Sequence, residues 1–282
     1  MTPLRRKMIE DMSIRNFSPC TQEVYLRQVE RFARHFRRSP ERLGVEEIRR
    51  YQLHLLEQGV SWSLFNQAVC ALRFLYSVTL GGSVPVQGIP FPKKPRTLPV
   101  VLSSGEVARF LESFRSPKHR AILMTAYAAG LRVSEITHLR LCDIDSQRSV
   151  IRVGQGKGQK DRYVMLSPRL LELLREYWKK SRPKGEYLFP GESPDRPITR
   201  AAVAIACQKA AKDSGLKKRI TPHTLRHAFA THLLEAGTSV FMVQSLLGHR
   251  HLQTTFRYLH VSRPVCSVPS PLDLLPLSDK RS

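Results

Sequence analysis

The chain has 282 residues, 41 % of them hydrophobic, which is enough for two domain cores at roughly 100–200 residues each. Its 46 Lys and Arg against 23 Asp and Glu leave a formal net charge of +23, the balance of a protein whose partner is a polyanion, with nucleic acid the leading candidate and a membrane surface the rival. No apolar run approaches the ~18 residues that a membrane span needs. The start MTPLRRKMIEDMSIRNF lacks the apolar centre of a targeting signal, and five dispersed cysteines, odd in number and without a C-x-x-C pair, argue against a disulfide framework. A cytoplasmic, nucleic-acid-binding protein without membrane contact is expected.

In chain order, Ser18 and Pro19 are a natural helix cap and first position, and Tyr25, Val29, Phe32 and Phe36 then recur at helical steps. Two more amphipathic helices follow, over 45–57 with Val45, Ile48, Gln52 and Leu55 on one side, and over 61–78 with Phe65, Val69, Leu72 and Tyr76. Together they predict a small helical domain, residues 1–84. Its outer faces carry Arg27, Arg31, Arg34, Arg37, Arg38, Arg49, Arg50 and Arg73. Pro85, Pro90, Pro92, Pro95 and Pro99 then exclude regular structure, so 85–99 is expected to be a linker in which Lys93, Lys94 and Arg96 are candidate DNA contacts.

Beyond the linker, Ser103 and Glu106 form a capping box, and KHRAILMTAYAAG reads as a buried helix stopped at Gly130. SVIRV and RYVML, flanking GQGKGQKD, predict an antiparallel hairpin. Helices are expected again over 167–180, 199–212, 222–236 and 239–247, with a short one through 254–258. The fold class predicted is mainly α with a small antiparallel β-sheet. A proline-rich tail, 263–282, either docks its Leu272, Leu274, Leu275 and Leu277 on a neighbouring copy or stays disordered.

Four stretches carry groups suited to phosphate chemistry. They are AAGLRVSEITHLRL with Arg132, GQGKGQKDR with Lys157, TPHTLRHAFATHLL with His223 and Arg226, and LLGHRHLQTTFRYLH with His249 and Tyr258. On a helical wheel His223, Arg226 and His227 share a cationic side while Leu225, Ala228 and Phe229 lie largely opposite. Asp143, Asp145 and the His223/His227 pair are weak metal-ligand signals, because the helix lacks the Glu of H-E-x-x-H and the aspartates fall where turns form.

The four stretches, in this order, resemble the tyrosine recombinases, the phage-integrase family that includes Xer-type recombinases and integron integrases. The resemblance spans both domains. It implies a helical, SAM-like core-binding domain followed by an α+β catalytic domain over 100–262, and a DNA recombinase or integrase that needs no metal or cofactor. It implies Tyr258 as the nucleophile, His223 as the acid/base assisting it, His249 on the phosphate, and Arg132 and Arg226 on the transition state. Lys157 is implied as general acid, with Lys160 its neighbouring competitor, and His227 matches no signature position and is given a supporting or structural role. The partners implied are double-stranded recombination sites and a homotetramer on two duplexes. His223 follows Lys157 by 66 positions, leaving no room for the extra helical insertion of integron integrases. A mobile-element integrase is therefore preferred, with a Xer-type resolvase or a catalytically inactive DNA-binding relative as alternatives.

Overall fold

The structure, a computed structural model, describes residues 1–82, 89–91, 93, 100–154 and 161–259. Lys94, Arg96, Lys157, Lys160 and the leucines of the tail lie outside the described residues. The chain divides into two compact units, Met1–Thr97 and Leu98–Ser282.

The N-terminal unit is a helical bundle of α1 (Pro3–Ile14), α2 (Pro19–Phe36), α3 (Val45–Glu57) and α4 (Trp62–Phe74), the last continuing as a wider π turn over Leu75–Thr79. Ser18 accepts a hydrogen bond from the Thr21 N–H and Ser61 one from Leu64, so both helices start where a short hydroxyl can satisfy an unpaired donor. Phe32, Ile48, Leu72 and Leu75 close the core. Tyr76 is buried with them, and its hydroxyl donates to the carbonyls of Pro40 and Leu43. Seven of the eight arginines assigned to outer faces are exposed; Arg73 is half-buried instead, donating to the Ile89 carbonyl and lying over the Phe91 ring. Ile89, although inside the proline-rich stretch, belongs to this core. Lys93 is exposed.

In the C-terminal unit, α5 (Ser104–Glu112), α6 (Pro117–Ala128) and α7 (Val133–Thr137) precede three strands, β1 (Ile144–Asp145), β2 (Val150–Val153) and β3 (Arg162–Met165). They form one antiparallel sheet in the order β1-β2-β3, with Ile151 opposite Val164 and Val153 opposite Arg162. Period-two alternation buries Ile151, Val153 and Val164 and turns Arg152, Tyr163 and Met165 outward. Helices α8 (Pro168–Ser181), α9 (Arg200–Asp213), α10 (Pro222–Glu235), α11 (Val240–Leu247) and α12 (Leu252–Leu259) complete the unit. Among the described residues no helix is long and apolar enough to cross a membrane.

Helix α10 is the centre of this unit. Leu225 and Ala228 join the main core, while Phe229, Ala230 and Leu234 build a second cluster with Val243, Leu247 and Tyr258. Its far end is fixed by His232, which bridges the Tyr127 hydroxyl and the Leu102 carbonyl. Gly130, just beyond α6, must be glycine for two reasons: φ is +60°, and a Cβ there would overlap the Phe229 ring. Gly130→Ala should therefore destabilise by about 2–4 kcal/mol from left-handed strain plus overpacking. Calorimetry should show the C-terminal unit melting about 5–15 °C lower; an unchanged melting temperature would refute the packing argument.

Candidate active site

Among the described residues, three separate segments bring predicted residues together: the start of α7, α10, and the stretch from the end of α11 through α12. Arg132 is the residue before α7, held by the carboxylate that follows it by one turn: Glu135 accepts from the Arg132 backbone N–H at 2.8 Å and from its guanidinium at 2.7 Å. The other arm of Arg132 donates to the Gly248 carbonyl at 3.2 Å. Gly248 ends α11 at φ +62°, a left-handed cap that turns its carbonyl toward the arginine and starts the chain toward His249.

Arg226 departs from the sequence expectation. The wheel places it on a polar face, yet it is only 3 % exposed. The face is roofed by backbone: Arg226 donates to the carbonyls of Gly130 and, at 2.6 Å, Leu247, and a third contact at 3.3 Å reaches His249 Nε2. Burial and the nearby Arg132 cation lower its pKa to about 10, against the pull of Glu135, so it stays charged at neutral pH. Glu135 is the counter-charge. Burial alone would raise its pKa, but hydrogen bonds from Arg162 and from Arg132 outweigh burial and hold it at about 2. Removing one partner from such a buried pair generally costs about 3–5 kcal/mol.

Arg162, the first residue of β3, was not singled out by sequence. It forks onto both Glu135 oxygens at 3.0 and 2.9 Å and donates through Nε to the Leu246 carbonyl. Three guanidiniums thus surround one carboxylate. The only sequence signal for Arg162 is its place at the foot of the predicted hairpin.

The histidine tautomers follow from these partners. A guanidinium only donates, so His249 Nε2 accepts from Arg226 and its proton sits on Nδ1, which donates to the Thr255 hydroxyl at 2.9 Å. Burial, then the surrounding arginines, lower its pKa to about 4, consistent with a neutral ring. Its ring stacks on Tyr258, with centroids 6.3 Å apart and planes 13° apart. His223 is exposed; partial desolvation and the charges of Arg226 and Arg132 lower its pKa.

Tyr258 on α12 is 2 % exposed, with its ring in the α10–α11 cluster. Burial raises its pKa, opposed by Arg226, Arg257 and Arg132. Its hydroxyl meets Nδ1 of His227 at 2.9 Å, a residue that sequence reasoning left without a catalytic place. No described His, Cys, Asp or Glu residues cluster in threes as a metal site would require. Asp143 instead binds Arg152 and the Arg140 N–H, and Asp145 accepts from the N–H groups of Gln147 and Arg148.

A buried tyrosine beside a fork of arginines and two histidines is suited chemically to attack on a phosphodiester, and the chain as a whole is similar to known proteins in sequence and fold. Residues 101–263 match the phage integrase family, and residues 4–85 match the phage integrase N-terminal SAM-like domain. The Sinorhizobium fredii protein y4qK, named for an integrase/recombinase role, is 57 % identical over 98 % of this chain and 90 % of its own length. Tyrosine recombinase XerD of Halalkalibacterium halodurans is 36 % identical over 80 % of each chain. Among solved structures, the XerA recombinase aligns with 28 % identity and a TM-score of 0.56, covering 94 % of this chain and 95 % of its own. XerH, in a post-cleavage complex with its palindromic difH substrate, aligns at 23 % identity and a TM-score of 0.73 over 90 % and 80 %, a likeness of fold. The chain belongs to the phage integrase family of tyrosine recombinases.

Proposed function

We propose that this protein cuts and rejoins DNA at specific sites through a 3′-phosphotyrosyl intermediate, acting in the cytoplasm for a mobile genetic element. The observation that carries this reading is the convergence of Arg132, Arg226, His249 and Tyr258 from three segments onto one place. In the first step the Tyr258 oxygen attacks phosphorus, the bond to the 5′ oxygen breaks, and that oxygen leaves with a proton supplied by Lys157, with Lys160 the competing donor. The new phosphodiester conserves the energy of the old one, so religation needs no cofactor. Arg132 and Arg226 aim fixed donors at the non-bridging oxygens, where charge gathers in the transition state.

In this reading residues 1–84 grip the core site, 85–99 form a linker in which Lys93, Lys94 and Arg96 follow the backbone, and 100–262 hold the chemistry. Four copies on two duplexes exchange strands pairwise through a Holliday junction, and the 263–282 tail is a candidate link between copies. The higher identity to y4qK, named for an integrase/recombinase role, than to XerD favours the integrase reading over the Xer-type one.

A nicked duplex carrying the protein's recombination site, to be sought as paired inverted repeats in the DNA beside the gene, should trap a covalent protein–DNA adduct at the 3′ end of the broken strand. The adduct should form undiminished in EDTA. Cleavage that chelation abolishes, or that leaves free 3′-hydroxyl ends with no adduct, would overturn the reading.

A further inference from the structure

Arg132, which the proposed function places on the transition state, is held by two anchors, the Glu135 carboxylate and the Gly248 carbonyl. Neither is rigid by itself. Glu135 is a flexible side chain, and Gly248 is a glycine in the left-handed region at the end of α11. Both are fixed by Arg162.

Glu135 Oε1 accepts from the Arg132 guanidinium at 2.7 Å and Oε2 from the Arg132 backbone N–H at 2.8 Å, and Arg162 adds a second donor to each oxygen, at 3.0 and 2.9 Å. These bonds fill the roughly four acceptor positions that a carboxylate offers. The bidentate pair also fixes the plane of the carboxylate, so it cannot turn about its last bond. That restraint has a consequence for Arg226, whose Nη1 lies 3.9 Å from Oε2, near enough to capture a carboxylate left loose. Held by Arg162, Glu135 stays on Arg132.

The other anchor rests on the same side chain. Arg162 Nε donates to the Leu246 carbonyl at 2.9 Å, and its Cδ, Nε and Cζ pack so closely on Gly248 that a Cβ there would stand 3.1 to 3.2 Å from them. Strand β3 is thereby tied to the last turn of α11, where the Gly248 carbonyl receives the second arm of Arg132. With its fork turned onto a carboxylate and its side chain 13 % exposed, Arg162 is not presented to a phosphate.

We propose that Arg162 is a positioning residue of the active site: through Glu135 and the α11 cap it sets where the Arg132 guanidinium points, and it touches neither DNA nor the reacting atoms. This rests on the reading of Arg132 as a transition-state donor. An ion pair that served the fold alone would leave the chemistry of the folded protein unchanged. A positioning residue is felt in the chemistry, and only through Arg132.

The test is single-turnover adduct formation on the nicked duplex by the full chain and by Arg162→Lys, which keeps the charge and loses the fork. With protein in saturating excess the variant should be slower by about 10²-fold, the scale of a misplaced catalytic group, with gel-shift affinity unchanged. In an Arg132→Ala background the same substitution should cost less than about threefold, because the group it positions is gone. A methylphosphonate at the scissile position replaces one non-bridging oxygen by a methyl group, so less charge gathers where Arg132 acts. On that duplex the deficits of Arg132→Ala and Arg162→Lys should shrink together.

A rate for Arg162→Lys within about threefold of the parent would refute the proposal, since a displaced donor is not so mild. So would losses that multiply in the double variant, which would make the two arginines independent. Sulfur in place of the 5′ bridging oxygen leaves as a thiolate without a proton, and rescue of Arg162→Lys by that duplex would overturn the proposal by moving the effect to the leaving group. Absence of any adduct with the parent protein would strike the nucleophile reading, and a parent-like rate for Arg132→Ala the reading of Arg132; both failures are distinguishable from this one. Should Arg162→Lys not fold, side-chain nitrogen NMR of the unsubstituted protein decides: the duplex should shift the Arg132 guanidinium signals and leave those of Arg162 in place, and an equal shift at Arg162 overturns the assignment.

Discussion

Tyr258→Phe should abolish covalent capture of DNA while the protein still folds and still binds its duplex. The benzyl ring fills the same space among Phe229, Ala230, Leu234, Val243 and Leu247, so the core loses no volume. What is lost is one hydroxyl and its contact to His227, a net hydrogen-bond contribution of about 0.5–1.5 kcal/mol. Chemistry has no such reserve. Removing a nucleophile costs on the order of 10⁶-fold in well-studied hydrolases, because no neighbouring group substitutes for it. Denaturing gels of the nicked-duplex reaction should show no adduct band at any time, beside gel-shift affinity equal to that of the parent. An adduct that survives the substitution would move the nucleophile to another residue and end the assignment.

Arg226→Lys should cost roughly 10²–10³-fold in the rate of adduct formation, although charge is conserved. The guanidinium is fixed by three partners on different segments, the Gly130 and Leu247 carbonyls and His249, which together aim the rest of its fork. A lysine ammonium is a point donor on a flexible stem and cannot satisfy two divergent carbonyls while presenting a planar face to phosphate. At 3 % exposure no water replaces the missing donors, so a moderate loss of thermal stability should accompany the kinetic one. Duplex affinity should barely change, since it is spread over many cations across a chain of net charge +23. Melting curves and single-turnover rates measured on the same preparation separate the two effects; a rate within tenfold of the parent would show that the fork is structural.

How much of this was legible in the sequence depends on the kind of contact. Helices α2, α3 and α4 and the β2–β3 hairpin follow from periodicity, because one face of each must be apolar, and α2 and α4 are marked further by the capping hydroxyls of Ser18 and Ser61. Helix α1 was missed for the same reason: in PLRRKMIEDMSI only Met8 and Met12 are buried, too few to make a periodic face. Helix α7 escaped because five residues give no period at all; what defines it is the link from Glu135 back to the Arg132 N–H.

At the candidate site, the resemblance to the family's signature singled out Arg132, His223, Arg226, His249 and Tyr258 as candidates, whereas their environment stayed hidden. A helical wheel distinguishes polar from apolar and cannot distinguish solvent from a roof of carbonyls, so the burial of Arg226 was unforeseen. Arg162 was passed over, and His227 given only a supporting or structural role, because their partners Glu135 and Tyr258 lie 27 and 31 positions away. Lys157 and Lys160 lie outside the described residues, and their assignment stays with the motif.

Arg132, Arg162 and Arg226 set three guanidiniums around the single carboxylate of Glu135. The fold therefore maintains a cation surplus where water scarcely reaches, a self-repulsion that apolar packing in the rest of the unit must outweigh. In the proposed function a phosphodiester seated there would neutralise part of the surplus, so that folding and substrate binding would draw on one free-energy balance, the native state gaining RT ln(1 + [L]/Kd) as DNA occupied it. On that balance the unliganded chain would be less stable than the DNA-bound one. The enzyme would then be most secure while severing a strand, when release of the broken end would do the most damage.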